Sequence, residues 1–120
     1  MIWLREHTPS DSVITANCDP AVFLYTGRKA IRPFDIEDYR LLFDSSPGRL
    51  PLGSSERLRN HLKANRISYI LMTPMTYFME GPFFREQLAS LMRASPTAFR
   101  LEKRFDDPEF YIVSVDRSKL

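Results

Sequence analysis

Apolar residues recur along this chain with a helical and an alternating period, and the switches between the two outline the elements. Trp3, Leu4 and His7 share one helical face until Thr8-Pro9, where proline disfavours a helical residue before it. "PSDS" reads as a turn and Val13-Ile14-Thr15-Ala16 as a short β-branched strand that ends at Asn17-Cys18. Asp19-Pro20 has the chemistry of a helix start, because Asp accepts from the free amides of the first turn and Pro at the first helical position loses no bond. A helix over 20–26 follows, closed by Gly27 in the left-handed conformation that a C-terminal cap requires.

Ala30-Ile31-Arg32-Pro33-Phe34 reads as a second strand, and Pro33, which cannot donate to a ladder, sends it to a sheet edge or a strand end. Ile36, Tyr39, Leu42 and Phe43 predict a helix over 35–44, and "SSPGRLPLGSS" a loop. Ser54 or Ser55 caps the next helix, in which Leu58 and Leu62 stack one turn apart while Arg57, Arg59, His61 and Lys63 take the other faces and Asn65 terminates it. The continuous apolar run Tyr69-Ile70-Leu71-Met72-Thr73-Pro74 predicts a central strand covered on both faces. A helix with Pro82 in its first turn turns Phe84, Leu88, Leu91 and Met92 inward until Ser95-Pro96. Alternation through Phe99 and Leu101, a turn at Asp106-Asp107-Pro108 and the run from Phe110 to Val115 predict a closing hairpin. The order predicts one α/β domain over residues 1–120: a layered α/β/α arrangement with a mixed central sheet, a C-terminal β-hairpin and right-handed crossovers between parallel neighbours.

Composition narrows the function classes. An apolar content of 43% supports a hydrophobic core, and 17 basic against 15 acidic residues carry no nucleic-acid signature. Cys18 is the only cysteine, which excludes an internal disulfide and a cysteine-based zinc cluster. No apolar run approaches the roughly 20 residues of a spanning helix, and Met1-Ile2-Trp3-Leu4-Arg5 lacks the features of a signal peptide.

The candidate chemistry is sparse. "TGRK" is not a phosphate-binding Walker loop, since its glycine ends a helix instead of opening one, and the negative end of that helix attracts cations. Arg28 and Lys29 are thus placed to satisfy the last carbonyls; the alternative is that Arg28, Lys29 and Arg32 hold the phosphate of a lipid or sugar. His7, Cys18 and His61 are too scattered to suggest a metal site, and no cofactor is indicated. The acid pairs Glu37-Asp38 and Asp106-Asp107 diverge or sit in a turn, and no Gly-x-Ser-x-Gly elbow occurs. Met72, Met75 and Met79 with Phe78, Phe83 and Phe84 read as packing, or else as an apolar surface for lipid or a partner. The basic helix from Arg57 to Arg66 reads as a solvated face, or with Trp3 as a surface for anionic headgroups.

The stretch "WLREHTPSDSVITANCDPAVFLYTGRKAIRPF" resembles the soluble C-terminal region of polytopic membrane glycosyltransferases, the group of protein O-mannosyltransferases and aminoarabinose transferases. The matching elements are the helix ending in Thr8-Pro9, the lead from Asp11 into the strand at Ile14, Asp19-Pro20, and Tyr25-Thr26-Gly27-Arg28-Lys29-Ala30; Tyr69-Ile70-Leu71 and Tyr111-Ile112-Val113 are similar in order and spacing. The resemblance implies a parent in the cell membrane that uses a polyprenyl-phosphate sugar donor, with this domain on the periplasmic or extracellular side. The family's catalytic acid lies in a loop between membrane spans that has no counterpart in these residues, so no catalytic residue is carried over. The implied role is accessory: capping the transmembrane catalytic portion, contacting acceptor substrate or membrane surface, or stabilising the assembly. Trp3 then suits an interface at the end of a last membrane span. A self-standing α/β module recognising a phosphate or carbohydrate through Arg28, Lys29 and Arg32 is the alternative.

Overall fold

The computed structural model describes residues 2–16, 19–32, 55–73, 80–106 and 110–120. Its helices are α1 (Ile2–His7), α2 (Asp19–Thr26), α3 (Ser55–Ala64) and α4 (Glu80–Ala94), and its strands are β1 (Val13–Ala16), β2 (Lys29–Ile31), β3 (Tyr69–Met72), β4 (Phe99–Arg104) and β5 (Tyr111–Val115). The strands form one five-stranded sheet in the order β2-β1-β3-β5-β4, in which β1 is parallel to β2 and β3 while β5 is antiparallel to β3 and β4. The predicted α/β class, mixed sheet and C-terminal hairpin are all present. The predicted helix over 35–44, the serine-rich loop after it, Cys18, Pro33, Met75, Phe78, Met79 and the tip of the hairpin lie outside the described residues.

Strand alternation splits the core into two layers. Ile70 and Met72 point from β3 to one face, where they meet Leu58 and Leu62 of α3, Phe84, Leu88 and Leu91 of α4, and Val113 of β5. Leu71 points to the other, with Ile14 and Ala16 of β1, Leu4 of α1, Val22 of α2 and Ile112 of β5. The unbroken apolar run of β3 is thus explained: each of its faces has a helix layer to bury against. From β1 the chain steps to β2 through α2, then returns past β1 to β3 through α3. Opposite steps with helices on opposite faces give both crossovers the same hand.

Local rules account for the element ends. Gly27 has φ +69° and its amide reaches the Phe23 carbonyl at 2.9 Å, closing α2 as its sequence predicts. At the end of α3 the left-handed residue is Arg66, with φ +54°, instead of Asn65. Arg66 N donates to Lys63 O at 3.3 Å and Ile67 N to Leu62 O at 3.0 Å, the paired bonds of a Schellman cap, while Leu62 and Ile67 are both buried. Burial of that apolar pair offsets the cost of a non-glycine residue at positive φ. In β4 the register shifts between Leu101, opposite Val113, and Lys103, opposite Ile112, so Glu102 is an extra residue. The simple alternation expected through Phe99 and Leu101 therefore stops there, and Leu101 stays half-exposed on the edge strand.

Candidate functional site

Thr8 directly follows α1 and Thr26 is the last residue of α2, and both threonines are used in the same way. Thr8 Oγ1 donates back to Leu4 O, and Thr26 Oγ1 to Val22 O at 2.6 Å. Arg28 then ties the two ends together. Its Nε donates to Thr8 Oγ1 at 3.2 Å, Nη1 to Thr26 O at 3.0 Å, and Nη2 to Arg5 O at 2.7 Å and Thr8 O at 2.9 Å, while its amide donates to Thr26 Oγ1 at 3.0 Å. A single guanidinium thus serves the C-terminal carbonyls of α1 and α2, where both helix dipoles favour positive charge.

Lys29 and Arg32 take other places in the fold. Both are exposed, at the start of the edge strand β2 and just past its end; three residues along a strand span roughly 10 Å. The Arg32 carbonyl instead accepts Nε2 of His61 at 2.6 Å, which links α3 to the sheet edge and fixes the proton on that nitrogen. His7 stacks on Trp3 with ring centroids 4.6 Å apart and donates from Nδ1 to the Trp3 carbonyl at 3.0 Å.

The basic helix and Trp3 lie on opposite faces of the sheet, Trp3 against the layer of Leu4 and Leu71, α3 against that of Ile70. One flat surface of anionic headgroups cannot meet both. Nor is α3 a fully solvated stripe, since Arg57 and Arg59 are half-buried and Arg59 pairs with Glu56 at 2.9 Å.

Two further features emerge only in three dimensions. The first is the outer surface of α1 and α2. Val22 and Thr26 face the sheet and are buried, while Phe23 is 57%, Leu24 76%, Tyr25 66% and Ile2 64% exposed. In the sequence those positions read simply as helix.

The second lies at the carboxyl end of β3. Thr73 follows that strand with its carbonyl accepting Nη2 of Arg85 at 3.2 Å, and its buried hydroxyl has no hydrogen-bond partner among the described residues. Tyr111 stands opposite Met72 on one side and Arg104 on the other. Burial pushes the Tyr111 phenol up from its ordinary value, while the guanidinium of Arg85, and then that of Arg104, pull it back. Sequence reasoning placed Tyr111 in the closing strand without a role; only the strand register sets Arg104 opposite it.

Set against models of protein families, curated proteins and solved structures, the chain matches none.

Proposed function

We propose that this chain is a non-catalytic accessory domain of a membrane glycosyltransferase that takes its sugar from a polyprenyl phosphate. It sits on the periplasmic or extracellular side, with the outer surface of α1 and α2 resting on the parent's transmembrane catalytic part. The observation that carries this reading is the apolar surface of Ile2, Phe23, Leu24 and Tyr25. A helix apolar on all sides is normally covered on all sides, and the sheet covers only one side of α2. Covering a large apolar side chain contributes about 1.5–3 kcal/mol, and aromatic anchors such as Phe23 and Tyr25 are the residues on which interfaces concentrate their binding energy. The segment that carries this surface is also the one that carries the resemblance to the glycosyltransferase C-terminal region. Arg28 supports the same role by holding α1 and α2 as one rigid unit.

The coding sequence upstream of Met1 and the membrane fraction of the native cells together test the reading. An upstream frame encoding a run of apolar spans is expected, and a stop codon directly before Met1 overturns it. With the parent in hand, Phe23→Ser combined with Leu24→Ser is expected to loosen the domain from the membrane part, read as faster proteolytic release. Turnover of a polyprenyl-phosphate sugar by the isolated chain would contradict the non-catalytic role.

A further inference from the structure

The carboxyl end of β3 lies beside a phenol and two guanidiniums, those of Tyr111, Arg104 and Arg85. Tyr111 and Arg104 are direct partners in the β4–β5 ladder, and side chains directly opposite on one face have Cβ atoms about 5 Å apart. Across the other ladder Tyr111 faces Met72. One residue beyond Met72, the Thr73 carbonyl receives Arg85 at 3.2 Å, which holds that side chain of α4 across the end of β3. Tyr111 is partly buried and Arg104 exposed, so the group opens to solvent. Both guanidinium charges act on the phenol, Arg85 more strongly than Arg104.

A guanidinium opposite a phenol, with a second guanidinium held at the end of the neighbouring strand, matches the chemistry of a phosphate group, which accepts from planar forks and from O–H donors. The place fits as well. Open α/β sheets bind ligands outside the carboxyl ends of their parallel strands, near the point where strand order reverses, and here that point lies between β1 and β3, next to β5. We propose that Arg85, Arg104 and Tyr111 form a binding site for a phosphate ester. Arg85 contributes positive charge from a position set by Thr73, while Arg104 and the Tyr111 hydroxyl supply the direct hydrogen bonds. The site is separate from the docking surface of α1 and α2, since Tyr111 and α4 pack on the opposite face of the sheet.

Calorimetric titration of the whole chain with inorganic phosphate, run beside sedimentation with phosphatidylcholine vesicles with and without phosphatidic acid, tests the proposal and identifies the source of the phosphate. Saturable binding of inorganic phosphate supports a water-soluble ester; sedimentation that needs phosphatidic acid, without binding of free phosphate, supports a lipid headgroup. In either case Arg104→Gln is expected to weaken binding about tenfold, the loss of one charged hydrogen bond, and Tyr111→Phe severalfold. Both variants keep the fold, because Arg104 is exposed and phenylalanine keeps the ring, and circular dichroism checks this. The proposal is overturned if neither probe binds, or if both variants bind as tightly as the parent chain. Phe23→Ser with Leu24→Ser leaves phosphate binding unchanged, so failure of the docking reading and failure of the phosphate site are told apart.

Discussion

On one face of the sheet, α3 and α4 bury Leu58, Leu62, Phe84, Leu88 and Leu91 against β3 and β5. On the other, α1 and α2 bury Leu4 and Val22, and much of α2's apolar surface faces outward. The larger layer is held by amphipathic helices whose described large apolar side chains are mostly turned inside. The smaller layer is closed instead by polar fastening at its helix ends, with Thr8, Thr26 and Arg28 joined in one network and Gly27 capping α2. A layer fastened by its ends leaves apolar side chains on its outer surface, whereas among the described residues α3 and α4 show no exposed large apolar side chain.

The contrast can be broken first where it is strongest. Leu88→Ala removes a side chain that is 1% exposed from the larger layer and is expected to cost about 3 kcal/mol in urea unfolding. Leu24→Ser, on the outer surface of α2, is expected to change stability by less than about 0.5 kcal/mol. A similar loss at both positions would mean that the outer surface of α2 is covered within the free chain. Next in size, Arg28→Ala leaves carbonyls of two helix ends without their donor and is expected to cost about 2 kcal/mol. Arg28→Lys should recover little of that, because one ammonium cannot span Thr8, Arg5 and Thr26 as the guanidinium fork does.

Smaller effects sharpen the comparison at the helix ends. A Cβ on Gly27 would meet nothing within 4 Å, so Gly27→Ala should cost about 1 kcal/mol for the left-handed conformation alone. The opposite change on the other face, Arg66→Gly, relieves a side chain at φ +54° and is expected to stabilise by about 0.5 kcal/mol, read in the same denaturation series. The least effect is alkaline. The Tyr111 phenol is raised by burial more than its two arginines lower it, so its contribution to stability is whole below the ordinary tyrosine value of about 10 and is lost as pH rises through the folded value. Tyr111→Phe should flatten the fall in stability above that pH, measured by denaturation at a series of alkaline pH values.

Much of the scaffold was legible because its signals are local. The strand from Val13 to Ala16, the helix closed by Gly27, the apolar run of β3, the helix with Pro82 in its first turn and the closing hairpin each follow from residues within one element. Arg28 as a partner for helix carbonyls was legible too, from the polarity of the helix before it; that it also serves α1 was not, since Thr8 and Arg5 lie 20 and 23 residues back. Asn65 as terminator was legible, since the helix ends at Ala64; that Arg66 takes the left-handed position was not, because the cap is decided by where Ile67 packs on Leu62 and not by which residue best tolerates positive φ. The group of Arg85, Arg104 and Tyr111 left no local signal, since its members come from a helix and two strands whose register the sequence does not display.

By itself, the amino-acid sequence determined most of the described helices and strands, that β3 is buried on both faces and that a cation stands at the end of α2. Periodicity, glycine and proline act within a few residues, so they are readable in one dimension. Only the tertiary structure decided which helices share a face, that Trp3 and the basic helix are separated by the sheet, that Phe23, Leu24 and Tyr25 are left outside, and that Arg104 stands opposite Tyr111. Those outcomes depend on strand order and register, which are set by contacts among residues distant in the chain, each layer burying its own apolar set against the sheet.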